Sequence, residues 1–400
     1  MQNYSTADAK KINVAMSCIL LFGTLASYID AKYGRGSGSY YLTQTIYFLS
    51  MLAALPSAIK CINRKIVIFA ISFFIVFLVS YAIGKDTNVF HLVERNILLW
   101  CMPYLLFSFS VRDHKDLVIK LKYVSLFVLI IGYLRMFTLN FSSETYSQEL
   151  GYDVLLPFII YFLLFLKEHK SWYIVPIAVS YALMLMSGSR GPLMCAVMGG
   201  ILACVIINRV KIKNIMLYAT IGCAVYIPYY LHRIEILTWV SDCFTSLNVS
   251  NRAVEMLLYN EISRSEGRDR LREIALDYIL NHPFVGSGVV NDRPYLYGQY
   301  LINRTATVYG TYCHNFFLEI MMQFGLVLGV ILIAAYFYSI VSKVKNADAI
   351  EKKEYWIILL TIGFFPLLVS RSWITFHVFY MVIGALLASD FETKERKWAQ

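Results

Sequence analysis

Apolar residues in this chain run in long blocks separated by short polar turns. A helix needs roughly 20 mostly apolar residues to cross a bilayer, and twelve blocks are candidates, the two within 152–188 being short. They lie near 12–30, 41–59, 66–84, 90–110, 121–140, 152–167, 172–188, 191–208, 214–232, 315–341, 355–371 and 373–389. The pattern predicts an all-α, polytopic integral membrane protein. The first block follows Lys10 and Lys11 but has no small-residue cleavage pattern, so it reads as an uncleaved first helix.

One connection breaks the rhythm of short turns. Leu231 to Tyr312 separates the ninth and tenth blocks, and a connection of that length is usually functional or disordered. It contains an amphipathic stretch, Arg270 to Asn281, with Leu271, Ile274, Ala275, Tyr278 and Ile279 on one face and a stop at His282-Pro283. That spacing predicts a short helix laid against the membrane surface. The expected organisation is therefore 1–230 with nine helices, 231–312 as a large loop, and 313–400 with three more helices and a terminal tail.

Composition agrees with this: 58% of residues are apolar and 16% charged, against roughly 45–50% and 25% in a soluble domain. A net charge of +10 would suit nucleic acid, but the cations sit in the turns, which excludes that partner. With the N-terminus inside, 21 of the 36 Lys and Arg residues fall in cytoplasmic segments. The short external turns hold only Lys32, Arg35, Lys85, Arg190 and Arg371. Both termini are thus expected in the cytoplasm and the large loop outside. None of the eight cysteines has zinc-ligand spacing, and only Cys243 and Cys313 fall where a disulfide is conceivable.

The large loop carries eight arginines and no lysine, whereas 17 of the 21 cytoplasmic cations are lysine. A planar guanidinium is preferred where phosphate oxygens are gripped in two-pronged fashion. The loop's nine acids offer partners for several of these arginines, but the cluster Arg268, Arg270 and Arg272 is denser than pairing requires. Arg293 belongs to the same loop. Arg95, next to Glu94, and Arg135 lie within apolar blocks near their external ends, where an ionisable group marks a site or a buried pair. Arg190 opens the eighth block after Ser187-Gly188-Ser189, and Arg371 occupies the turn Ser370-Arg371-Ser372. His314 stands at the mouth of the tenth block, where a neutral imidazole suits a general base and a helix-capping role is the competing reading.

The segment His314-Asn315-Phe316-Phe317-Leu318-Glu319, continuing to Phe324-Gly325-Leu326, resembles the H-N-x-x-L-E-x-x-x-x-x-G signature of bacterial O-antigen polymerases and ligases. Ser189-Arg190-Gly191, Gly267-Arg268 and Asn281 to Gly288 agree with it in order, so the resemblance spans 187–330 by motif. It implies a metal-independent glycosyl transfer, without a cofactor, at the external face of the bacterial inner membrane. Arg190 and Arg268 would hold the undecaprenyl pyrophosphate, and His314 would deprotonate the acceptor hydroxyl. Asn315 and Glu319 would orient the histidine or touch the sugar, with a buried structural role as the alternative for Glu319. The partners implied are an undecaprenyl-pyrophosphate-linked glycan, with a chain-length regulator and a flippase in the same membrane.

Within that family, Asn291-Asp292-Arg293 and the tyrosines Tyr295, Tyr297, Tyr300, Tyr309 and Tyr312 side with a polymerase of repeat units, making O-antigen or capsular polysaccharide, over a ligase that moves polymer to lipid A core. A flippase of lipid-linked oligosaccharide fits less well, because the large loop breaks the two-half symmetry of most carriers. His314, Arg190 and Arg268 are expected to converge around one external cavity.

Overall fold

A computed structural model describes residues 4–34, 37–84, 87–138, 147–207, 232–246, 254–255, 258, 266–300, 307–308 and 310–388. Their regular elements are all helical. The ninth apolar block, 214–232, lies almost wholly outside these residues, as do Arg35, Lys85, Arg209, Lys211, Lys213, Arg252, Arg264, Arg304, Tyr309, Lys394, Arg396 and Lys397.

α1 (Thr6–Tyr33) starts at a reciprocal cap, in which the Ser5 hydroxyl accepts from the Asp8 amide and the Asp8 carboxylate accepts from the Ser5 amide. It ends at Gly34, whose φ of +80° lies in the region glycine enters freely. α2 (Gly38–Ile59) returns against it, and α3 (Arg64–Ile83) follows. α4 (Thr87–Asn96) and α5 (Met102–Ser110) are joined through a π-helical turn, Ile97–Cys101. α6 (His114–Thr138), α7 (Gln148–Asp153), α8 (Leu155–Glu168), α9 (Ile174–Met186) and α10 (Arg190–Ile207) complete the first half.

Seven described helical segments are individually long and apolar enough to cross a membrane. On α3 only Ile66, Phe77 and Ser80 are buried; Ile71, Phe74, Ile75, Leu78 and Val79 face outward, as befits a helix solvated by lipid.

In the loop, α11 (Arg233–Ser246), α12 (Glu266–Asn281) and α13 (Asp292–Gln299) are described. α12 begins four residues before the stretch read from spacing and ends where expected. Its stripe of Leu271, Ile274, Ala275 and Ile279 is buried, but against Leu296, Cys313, Leu318 and Met322 of the protein, not a membrane surface. Burying each large aliphatic side chain there contributes about 1.5–3 kcal/mol. Cys313 and Cys243 are both free thiols, and the Cys313 sulfur lies 3.9 Å from the Met322 sulfur inside this cluster.

The tenth apolar block is not one helix. α14 (Phe316–Phe324) stops at Gly325, whose φ of +83° breaks the spiral before α15 (Leu326–Lys345) begins. The freed backbone is covered by the segment after α12: the Ser287 and Gly288 amides donate to the Met322 and Gln323 carbonyls at 2.9 and 3.0 Å, and the Val327 amide donates to the Pro283 carbonyl at 3.2 Å. A Cβ on Gly286 would stand 2.4 Å from the Gln323 carbonyl carbon and one on Gly325 2.9 Å from Phe284 backbone atoms. The two glycines let main chain lie directly on main chain.

The last blocks form α16 (Ile350–Leu359), a second π-helical turn (Leu360–Phe364), α17 (Phe365–Val369) and α18 (Phe379–Leu387). The region 373–378 is a series of turns where a helix start was expected. α18 packs backbone to backbone on α5: a Cβ on Gly384 would lie 2.2 Å from the Leu105 carbonyl oxygen, and the Ser108 hydroxyl donates to the Met381 carbonyl at 2.6 Å.

Candidate active site

The turn after α17, Ser370-Arg371-Ser372, is the hub on which the sequence-predicted residues assemble. Its Ser370 carbonyl accepts two hydrogen bonds, from Nδ1 of His314 at 3.1 Å and from the Tyr312 hydroxyl at 2.8 Å. A carbonyl only accepts, so the His314 proton sits on Nδ1 and Nε2 keeps its lone pair. The Tyr312 and His314 rings pack in a tilted arrangement, with centroids 4.1 Å apart and planes at 38°. The Ser370 hydroxyl is gripped by Tyr152 at 2.6 Å and by Gln148. His314 has φ +50°, a left-handed conformation that is uncommon outside glycine and asparagine-like residues and that this double tether maintains. Asn315 caps α14, its side-chain oxygen accepting from the Phe317 and Leu318 amides at 3.0 and 3.2 Å.

Burial lowers the His314 pKa to about 4, and the guanidinium of Arg268 adds to this more strongly than those of Arg272 and Arg293, while the bond to Ser370 opposes it. The imidazole is neutral at pH 7. Arg268 is half-buried in the first turn of α12. Gly267 before it leaves room for the Tyr300 hydroxyl, which would lie 2.3 Å from a Cβ. Arg270 is exposed and pairs with Glu273 at 3.2 Å, and Arg272 pairs with Asp269 at 3.1 Å. The cluster thus divides: Arg268 and Arg272 act on the imidazole and Arg270 faces outward.

Beneath lies a wholly interior polar chain. Arg293 is 1% exposed and Asp292 and Glu319 are 0%. Arg293 Nη2 donates to the Ser372 hydroxyl at 2.9 Å, and Ser372 donates in turn to Glu319. The Trp373 amide donates to Glu319 at 3.3 Å, the Trp373 indole to Gln323 at 3.0 Å, and the Gln323 amide to Asp292 at 2.9 Å. The Arg293 guanidinium also lies 5.4 Å from the Tyr312 ring centroid. Burial pushes the Asp292 carboxyl up, and the neighbouring Arg293 holds it back. Val290 at φ +77° strains the turn leading into this pair, which Ser80 of α3 pins by accepting from the Val289 amide at 2.9 Å.

Arg190 opens α10 one residue before Gly191, where a Cβ would meet the Tyr152 hydroxyl at 2.5 Å and Val369 at 3.3 Å. Arg190 itself is half-buried, and it is its neighbour Gly191 that abuts the Tyr152 bonded to Ser370. Arg135 is enclosed, with its side chain 7% exposed, donating to Ser27 at 2.9 Å and lying 3.7 Å from Glu149 and 3.5 Å from Asp153. Arg95 is exposed; its neighbour Glu94 pairs with His91 at 3.4 Å.

A cavity of about 680 Å3 adjoins this assembly, with Tyr312, Arg371 and Arg95 in its walls. None of His314, Arg190 and Arg268 is a wall residue of this cavity; Tyr312, whose ring packs against His314, is one. Ser370, Ser372 and Asp292 were read only as neighbours of Arg371 and Arg293, and Tyr152 was not singled out at all. Ser370 acts partly through a backbone carbonyl, which carries no residue signature, whereas Ser-Arg-Ser between two apolar blocks was a visible polar signal.

A family model described as O-antigen ligase matches residues 174–333, which includes Arg190, Arg268, Arg293 and His314. No curated protein matches the chain.

Proposed function

We propose, for this member of the O-antigen polymerase and ligase family, that the membrane glycosyl transfer it carries out is the polymerisation of undecaprenyl-pyrophosphate-linked repeat units at the external face of the inner membrane. The observation that carries the reading is His314, a neutral imidazole whose Nδ1 is committed to Ser370 and which stands within the field of Arg268, Arg272 and Arg293. Nε2 takes the proton of an acceptor hydroxyl as that oxygen attacks the anomeric carbon. The bond from that carbon to the diphosphate oxygen breaks, and its electron pair leaves with the diphosphate. Arginines nearby stabilise the growing negative charge, which is where preorganised donors contribute most. Arg268 and Arg190 are the residues assigned to the diphosphate, and both termini lie in the cytoplasm.

Transfer of finished polymer to lipid A core is the second reading, favoured by the description of the matching family model. Surface lipopolysaccharide and lipid-linked glycans from cells lacking the protein separate the two. Core bearing a single repeat identifies a polymerase, and bare core with long polymer left on the carrier identifies a ligase. An unchanged ladder and carrier pool would remove both.

A further inference from the structure

The cavity beside Tyr312 is walled differently from the arginine side of the site. It presents three carboxyl groups, Asp30, Glu149 and Asp153, two arginines, Arg95 and Arg371, and the rings of Tyr40, Trp100 and Tyr312. Carboxylates accept hydrogen bonds from sugar hydroxyls, and flat aromatic faces pack against the C–H faces of pyranose rings. Arg95 and Arg371 stand in the same wall, so anionic and cationic hydrogen-bonding groups are interleaved with aromatic and aliphatic surface, a mixture suited to the hydroxyls and C–H faces of a glycan. The volume of about 680 Å3 is in the range of small-molecule sites and admits a short oligosaccharide.

The wall is built, not incidental. Arg135 lies 3.7 Å from Glu149 and 3.5 Å from Asp153, in charge contact with both, and the Ser27 hydroxyl donates to Glu149 at 3.1 Å, while the Glu149 side chain stays 65% exposed. Arg371 is held between the rings of Tyr152 and Phe376, at 4.8 and 5.7 Å. Asn96, at the start of one π-helical turn, donates to the Thr375 carbonyl at 3.3 Å, and Ile362 in the other π-helical turn is also a wall residue. Such turns re-aim side chains and are frequent at functional sites. Among the described residues, the buried side-chain oxygen of Gln44 in the same wall has no hydrogen-bond partner.

We propose that this cavity is the subsite for the acceptor glycan, seating the sugars next to the attacking hydroxyl, while the lipid diphosphate occupies the arginine side of Tyr312. This rests on the glycosyl-transfer reading above. Tyr312 then marks the rim between the two substrates: its ring packs on His314 with centroids 4.1 Å apart and also lines the cavity, so the glycan's reacting hydroxyl extends past the edge of this ring to meet the base and the donor. Glu149 is a binding residue for glycan hydroxyls, and Arg135 is the positioning residue behind it.

The test uses full-length protein in detergent and, as probe, the source cell's own repeat-unit oligosaccharide released from its carrier by mild acid. Binding is read by calorimetry, and undecaprenyl diphosphate is titrated in parallel. Saturable oligosaccharide binding is expected, weakened about tenfold or more by Glu149→Gln and by Gln44→Ala, with undecaprenyl diphosphate affinity unchanged. In transfer assays the same variants should raise the acceptor KM and spare kcat. Two results overturn the subsite: no oligosaccharide binding by the wild type, or variants that bind it as the wild type does. If binding behaves as expected and no transfer occurs with any lipid-linked donor, the subsite stands and the reaction reading falls. Transfer with an unchanged acceptor KM gives the converse.

Discussion

Nδ1 of His314 donates to the carbonyl oxygen of Ser370 at 3.1 Å, and this contact decides which nitrogen is available for chemistry. The same carbonyl accepts from Tyr312 at 2.8 Å, so ring orientation and tautomer are set together by main chain. His314→Ala should abolish sugar transfer while insertion and undecaprenyl diphosphate binding persist. Near-normal turnover by that variant would remove His314 from the mechanism.

The pH dependence follows from the direction of the His314 shift. The neutral form is the active one, and in the free protein its pKa is lowered from 6.5 to about 4, chiefly by burial. The acid limb of kcat/KM due to this group should therefore lie near pH 4, with activity retained at pH 5.5. Arg268→Gln removes a charge that disfavours the imidazolium, so the limb should move upward, toward 6.5. A bound diphosphate favours the imidazolium, placing the limb in kcat above that in kcat/KM. A limb at 6.5 in the wild type would contradict the buried, arginine-flanked setting.

Arg268→Lys keeps the charge and removes the fork. Loss of one preorganised donor at a developing oxyanion costs about 10²–10³-fold in kcat, and Arg268→Lys should lose a substantial part of that. Arg270→Lys, at an exposed residue paired with Glu273, should change activity less than threefold on the scale of surface ion pairs, about 0–1 kcal/mol. Equal effects at the two positions would show that only net charge matters.

Removing Arg293 leaves the interior carboxyls Asp292 and Glu319 without their cation, a loss of about 3–5 kcal/mol for a buried pair broken on one side. Arg293→Met should lower the thermal midpoint sharply in detergent. Adding Glu319→Gln should restore part of the loss; an additive further loss would mean that the two groups do not share one electrostatic network.

Gly325→Ala places a Cβ 2.9 Å from Phe284 backbone atoms at φ +83° and should destabilise by about 1–3 kcal/mol or more. Gly298→Ala, with nothing within 4 Å of its Cβ, should be neutral or stabilising. Thermal unfolding of the two variants side by side checks this.

The residues differ in how plainly the sequence declared them. The buried stripe of α12 was readable because helical spacing puts Leu271, Ile274 and Ile279 on one face whatever they pack against. What covers that face was not, since α14 is distant in the chain and a lipid surface would have selected the same residues. The break at Gly325 was hidden inside a continuous apolar run, where composition is the same for one helix or two. Arg190, Arg268 and His314 announced themselves by motif. Asn315 was drawn from the same motif as a residue that orients the histidine or touches the sugar, and the structure gives its side-chain oxygen a capping role. Glu319 and Arg293 were visible as charges near a site, but their complete enclosure depends on Ser372 and Trp373 from the far end of the chain.

The main-chain contact between Gly286 and the Gln323–Gly325 bend has a bearing on any chimera made between relatives. Because the loop's end and the bend touch without intervening side chains, a mismatch on either part cannot be relieved by repacking. A donor loop grafted at Tyr312 would carry one half of this seam and meet a foreign second half. Splicing beyond Val327 moves both halves together and keeps the histidine in register with the arginines above it.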